Sequence, residues 1–142
     1  MNFKKRILVA PLNWGLGHAT RCIPIIRELI EHKFEPVIAG DGVSLELLKK
    51  EFPELKFFEL PSYNITYSKF GFLLKLQLIK NVPQLLKAIK KENQLVQQLI
   101  KDQSIDGIIS DNRFGVYSLN KNIPSVYITH QIKVFSGITT WF

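Results

Sequence analysis

The stretch NWGLGHATR, Asn13 to Arg21, places Gly15, Gly17 and His18 between the apolar run RILVAP and the helix-patterned CIPIIRELIEH. Glycines at such a joint let backbone N–H groups turn toward a ligand. The start of a helix behind them adds partial positive charge, a combination suited to phosphate or carboxylate. The imidazole of His18, with an ordinary pKa near 6.5, can take or release a proton near neutral pH. Other polar residues follow other apolar runs: Gly40 and Asp41, Ser62 and Tyr63, Asp111-Asn112-Arg113, and His130-Gln131. No Asp-x-Asp pair and no His/Cys cluster offers a metal site, so a reaction without metal or cofactor is expected. Two other readings stay open. The glycines can serve packing alone, or the loop can be a dinucleotide fingerprint with Asp41 as the ribose-binding acid, although Thr20 stands at its third glycine position.

These residues need elements that bring them together. Five apolar runs read as strands: Arg6 to Pro11, Pro36 to Ala39, Lys56 to Leu60, Gly107 to Ser110 and Ser125 to Thr129. They are apolar almost throughout, as strands covered on both faces should be. Thr20 to His32 sets Cys22, Ile23, Ile26, Leu29 and Ile30 on one helical face, opposite Arg27, Glu28 and Glu31, with Pro24 near the first turn. Val43 to Glu51 reads as a shorter helix and Phe70 to Lys101 as a long helical region that Pro83 divides. Arg113 to Lys121 reads as another short helix. The alternation predicts an α/β domain: a Rossmann-like open, mostly parallel sheet in the order 3-2-1-4-5 with helices on both faces. Ligands of such sheets bind beyond the carboxyl ends of the strands, where the order reverses. The Gly15 to His18 loop should there face Asp111 to Arg113.

At 142 residues the chain has the length of one domain. No apolar run reaches the roughly 20 residues that span a bilayer. The basic opening MNFKKRILVAPLNWG has too short an apolar stretch for a signal peptide, and the single cysteine, Cys22, fits a reducing cytoplasm. The net charge of +7 points to an anionic partner, and seven lysines with one glutamate lie between Ser68 and Lys101. There, Phe70, Phe72, Leu73, Leu74 and Lys75 begin an apolar and basic stretch too crowded for a single buried stripe. It suits an anionic membrane surface better than nucleic acid, because its aromatics cluster with leucines.

With GLGH opening a helix, SDNRFG after the fourth run and IPSVYITHQ through the fifth, the chain resembles the amino-terminal half of the two-domain GT-B glycosyltransferases. The similarity is greatest to the group that contains the peptidoglycan UDP-N-acetylglucosamine transferase and the galactolipid synthases, and it covers nearly the whole chain through short motifs. The resemblance implies that residues 1–142 form a single acceptor-binding domain. A carboxyl-terminal half of comparable size, absent here, would bind the UDP-linked sugar, and this half alone would be inactive. It further implies hexosyl or N-acetylhexosaminyl transfer to a lipid-linked or other acceptor, at the cytoplasmic face of a membrane. His18 is the candidate base, with Asn13, Gly15, Gly17, Asp111, Asn112, Arg113, His130 and Gln131 as substrate-binding candidates; Arg113 would hold an acceptor phosphate. The sequence departs from the group in two places. Asp111 to Gly115 is poorer in glycine than the usual second loop, and Thr129-His130-Gln131 lacks the acid of a His-Glu-Gln motif. The alternatives are a dinucleotide-binding oxidoreductase domain and a non-catalytic Rossmann-type binding module.

Overall fold

The computed structural model describes residues 4–63 and 71–130, with the backbone alone for 71–79. In chain order the elements are β1 (Arg6–Pro11), α1 (Gly17–Glu31), β2 (Glu35–Gly40), α2 (Gly42–Glu51), β3 (Lys56–Glu59), α3 (Gly71–Asp102), β4 (Ile105–Asp111) and β5 (Ser125–Ile128). Every strand pairing is parallel, and the sheet runs β3-β2-β1-β4-β5, the order expected from strand-helix alternation. β1 lies at the centre, and the order reverses between it and β4. The carboxyl ends of these two strands are tied by Leu12 N–H, which donates to the Asp111 carbonyl at 2.9 Å.

Successive side chains of a strand point to opposite faces, and both faces of the central strands are covered. Leu8 and Ala10 of β1, with Val37 and Ala39 of β2, pack with Val96 and Ile100 of α3. Val9 and Ile38 point the other way, onto Ala19, Cys22 and Ile26 of α1 and Leu45 and Leu48 of α2. In β4, Ile105 and Ile108 share the α3 face although they are three positions apart, an odd offset that should put them on opposite faces. The register slips between Arg6 and Ile7, so Asp106 is the extra residue of a bulge that resets the alternation. Its carboxylate takes the Arg6 backbone N–H at 2.8 Å.

Four expectations are corrected. Helix α1 begins at Gly17 rather than Thr20, so His18 lies in its first turn and Pro24 well inside it. Proline cannot donate to the Thr20 carbonyl there, a cost borne by the buried face of Ala19, Cys22 and Ile26. Pro83 does not divide the long helix, which is continuous from Gly71 to Asp102. Residues Arg113 to Lys121 are not helical. Their carbonyls find donors on α3 instead: Asn93 Nδ2 reaches Gly115 at 2.9 Å and Tyr117 at 3.1 Å, and Gln97 Nε2 reaches Tyr117 at 2.7 Å. Finally, β5 is an edge strand rather than one covered on both faces, with Val126 and Tyr127 substantially exposed.

Candidate functional site

His18 sits in the first turn of α1 because Gly15, at φ 73°, turns the chain back beyond the end of β1. Gly17 has an ordinary helical backbone, so only the first of the two loop glycines is conformationally required. The imidazole is 5% exposed, and its Nδ1 lies 3.1 Å from Oδ1 of Asp111, the last residue of β4. Arg21, one helical turn on, brings Nε to 3.2 Å from the other carboxylate oxygen as an ion pair without hydrogen-bond alignment. Asp111 is itself fully buried. Arg21 Nη2 also approaches His18 Nδ1, at 3.4 Å. The shorter contact with a carboxylate selects the tautomer with its proton on Nδ1, which leaves the lone pair on Nε2.

Other groups gather around this pair. The His130 ring lies 5.8 Å from the His18 ring, centroid to centroid, and is exposed. Asn112, at φ 59° in the left-handed region that asparagine tolerates, turns the chain out of β4. Its Oδ1 accepts from the Tyr127 hydroxyl at 3.4 Å. The negative charge of Asp111 is felt nearby. Burial, and then that charge, push the Cys22 thiol up to about 12 and raise the Tyr127 hydroxyl. A thiol held so firmly protonated is no nucleophile.

Arg113 and Asn13 have work other than substrate binding. The Arg113 guanidinium is 1% exposed and its donors are taken from several sides. Nε donates to Glu92 Oε1 at 2.6 Å, Nη2 to the Pro61 carbonyl at 2.8 Å, and Nη1 to Asp41 Oδ1. Burial works against its charge, but Glu92 and Asp41 outweigh that and hold its pKa above the ordinary value. An acceptor phosphate would have to displace those carboxylates, so the expected phosphate contact gives way to a role in joining α3 to the ends of β1, β2 and β3. Asn13 spends its amide in the same network, donating to Asp41 Oδ2 at 3.3 Å and accepting from Ser44 N–H at 3.3 Å. Asp41 also accepts from Ser62 at 2.5 Å, so its carboxylate is already committed, contrary to a free ribose-binding acid.

Of the expected site residues, the structure therefore brings His18, Asp111, Asn112 and His130 together beside the exposed Gly15 and Gly17, and turns Asn13 and Arg113 inward. Gln131 and Phe70, and the side chains of Phe72, Leu73, Leu74 and Lys75, lie outside the described residues. Sequence reasoning missed Arg21, whose signal was its i, i+3 spacing from His18 on one helix face. It also missed Glu92, the one glutamate of the lysine-rich helix α3. Among the described residues no group of three or more His, Cys, Asp or Glu side chains could hold a metal ion. Likewise, no helix among them is long and apolar enough to cross a membrane.

No protein-family model matches the sequence, and no curated protein matches it significantly. Solved structures do share its fold. MurG from Acinetobacter baumannii aligns with a TM-score of 0.58 at 13% identity, over 88% of this chain and 34% of that one. A UGT from Glycyrrhiza uralensis, complexed with glycyrrhetinic acid 3-O-monoglucuronide, aligns with a TM-score of 0.47 at 14% identity, over 77% of this chain and 24% of that one. Both are GT-B glycosyltransferases. The chain shares the Rossmann-like fold of the MurG structure and spans about a third of its length.

Proposed function

We propose that this chain is the acceptor-binding half of a glycosyltransferase, with His18 as the base that activates the acceptor hydroxyl. The observation that carries the reading is the His18–Asp111 contact at the carboxyl edge, where the strand order reverses. Asp111 holds the ring with Nδ1 protonated and steadies the imidazolium that forms when Nε2 takes the acceptor proton. The acceptor oxygen then bonds to the anomeric carbon while the bond from that carbon to the diphosphate oxygen breaks. A UDP-linked hexose or N-acetylhexosamine is the donor in this reading, held by a further domain that supplies the second wall of the cleft. Support for that division is that the portion aligned with the MurG structure makes up 34% of that chain. The dinucleotide alternative is disfavoured by the engagement of Asp41 with Arg113, Ser62 and Asn13.

The acceptor in this reading is lipid-linked, and the protein works at the cytoplasmic face of an anionic membrane. Support comes from α3, where Val82 and Leu86 stand exposed one turn apart among the exposed Lys80, Lys87 and Lys90. Apolar side chains between lysines are what an acidic lipid surface attracts.

The deciding experiment combines two measurements. Nitrogen NMR of the chain should find His18 with its proton on Nδ1. In the full-length protein, supplied with a panel of UDP-sugars and acceptors, His18→Ala and Asp111→Asn should each lower turnover by about 10²-fold or more. A folded His18→Ala protein that turns over normally would favour a non-catalytic binding module instead.

A further inference from the structure

Asp111 is fully buried at the end of β4, and two side chains of α1 share its charge. His18 meets Oδ1 at 3.1 Å, and Arg21, on the same helical face, meets Oδ2 at 3.2 Å. Helix stability gives no reason for an arginine there. It stands near the amino end of α1, where the helix dipole disfavours a cation, and the first turn of the helix holds no acid. The residues three and four positions away, Gly17, His18, Pro24 and Ile25, offer it no carboxylate. Its partner is Asp111, reached from a side chain that stays 36% exposed.

A carboxylate enclosed in this way needs one balancing positive charge, and a second is costly. Arg21 is always charged, whereas His18 can be neutral. With Arg21 in place the balance is complete while the imidazole carries no charge. A proton on Nε2 of His18 would put a second cation beside the guanidinium, whose Nη2 lies 3.4 Å from the ring, at a buried site in the first turn of a helix. The other titratable groups around the ring bring no negative charge among the described residues. Cys22, next to Arg21 on α1, is held as the neutral thiol, and His130, beyond β5 with its ring 5.8 Å away, is exposed.

We propose that Arg21 is the resting counter-ion of Asp111 and thereby keeps His18 neutral, with the Nε2 lone pair free to take a proton. Arg21 is then a positioning residue that acts through Asp111. This deepens the glycosyltransferase reading and rests on it for its use, whereas the charge state of His18 belongs to this chain alone. The Arg21 contact is an ion pair without hydrogen-bond alignment, so the charge of the guanidinium rather than its shape carries the effect. Lysine at this position keeps that charge, and glutamine removes it.

The test is a nitrogen NMR titration of His18 in the 142-residue chain, as wild type, Arg21→Gln and Arg21→Lys. In Arg21→Gln the buried carboxylate has only the imidazole to balance it, so His18 should hold its proton about tenfold more tightly. Arg21→Lys should return the titration to the wild-type curve. An arginine with a merely structural role would leave the curve in place, or be replaced as poorly by lysine as by glutamine. In the full-length protein the ratio of turnover at pH 6.5 to that at pH 8.5 should fall about fivefold or more in Arg21→Gln and recover in Arg21→Lys. Circular dichroism reports whether each variant is folded. Should Arg21→Gln unfold, the comparison is made in the Asp111→Asn background, where no carboxylate is stranded and glutamine should again tighten the His18 proton. The proposal is overturned if a folded Arg21→Gln protein releases the His18 proton as wild type does, or if lysine fails to restore the curve. If the titrations come out as expected while His18→Ala leaves full-length turnover intact, the counter-ion stands and the assignment of the base falls.

Discussion

Glu92 carries more of the fold than its place in a lysine-rich helix suggests. It is fully buried, and its carboxylate accepts from Arg113 Nε at 2.6 Å, from Gly115 N–H at 2.9 Å and from the Tyr63 hydroxyl. Glu92→Ala leaves all three donors without their acceptor and the buried Arg113 with Asp41 as its remaining carboxylate partner. Breaking a buried ion pair from one side costs about 3–5 kcal/mol, far above the 1 kcal/mol or less of an exposed pair. For a chain of this length the unfolding entropy is about 0.3 kcal/mol per degree, so the melting temperature should fall by about 10–17 °C. Glu92→Gln keeps the shape and part of the hydrogen bonding while losing the charge, and should fall between wild type and alanine. Thermal and urea unfolding followed by circular dichroism give both values. A loss under about 1 kcal/mol for Glu92→Ala, or equal losses for the two variants, would refute the view that Arg113 depends on this carboxylate.

Three other outcomes follow from particular contacts. Cys22 has its pKa raised from 9.0 to about 12, so the unfolded chain ionises first and the contribution of this thiol, intact below about pH 9, is lost as pH rises toward 12. Urea midpoints measured from pH 8 to 10.5 should fall more steeply for wild type than for Cys22→Ala; parallel curves would contradict the burial argument. Gly42 has φ 55°, and an added Cβ would lie 2.1 Å from Asn13 Nδ2, so Gly42→Ala should cost more than about 1 kcal/mol. Gly17→Ala, helical and facing open space, should be neutral or stabilising by up to about 1 kcal/mol, and the reverse ranking in urea unfolding would refute both assignments. The chain should pellet with anionic but not neutral vesicles, with less binding in high salt and in Leu86→Ser; equal pelleting with both vesicle types would remove the membrane reading.

Much of this molecule was legible in its sequence because the signals are local. The run RILVAP is apolar at every alternate position and between, as only a strand covered on both faces needs to be. Its alternation with the amphipathic pattern around Cys22 and Ile26 leaves few topologies, since right-handed crossovers admit little else. The position of His18 at the edge of the sheet follows in the same way, from the short distance between the end of a strand and the start of a helix. The partners of its neighbours were not legible. Arg113 and Glu92 are 21 residues apart on different elements, and whether an arginine faces a ligand or a buried carboxylate depends on which helix the fold lays across it. Arg113 to Lys121 likewise carries helix-like composition, yet no helix forms there. Gly115 packs so tightly against Glu92 and the Ile89 carbonyl that a Cβ would lie 2.6 Å from each. Asn93 and Gln97 bond the carbonyls that a helix would otherwise bond internally. Local propensity is written along the chain, whereas the pairing of buried charges and the capture of a loop by a distant helix are settled only when the layers meet.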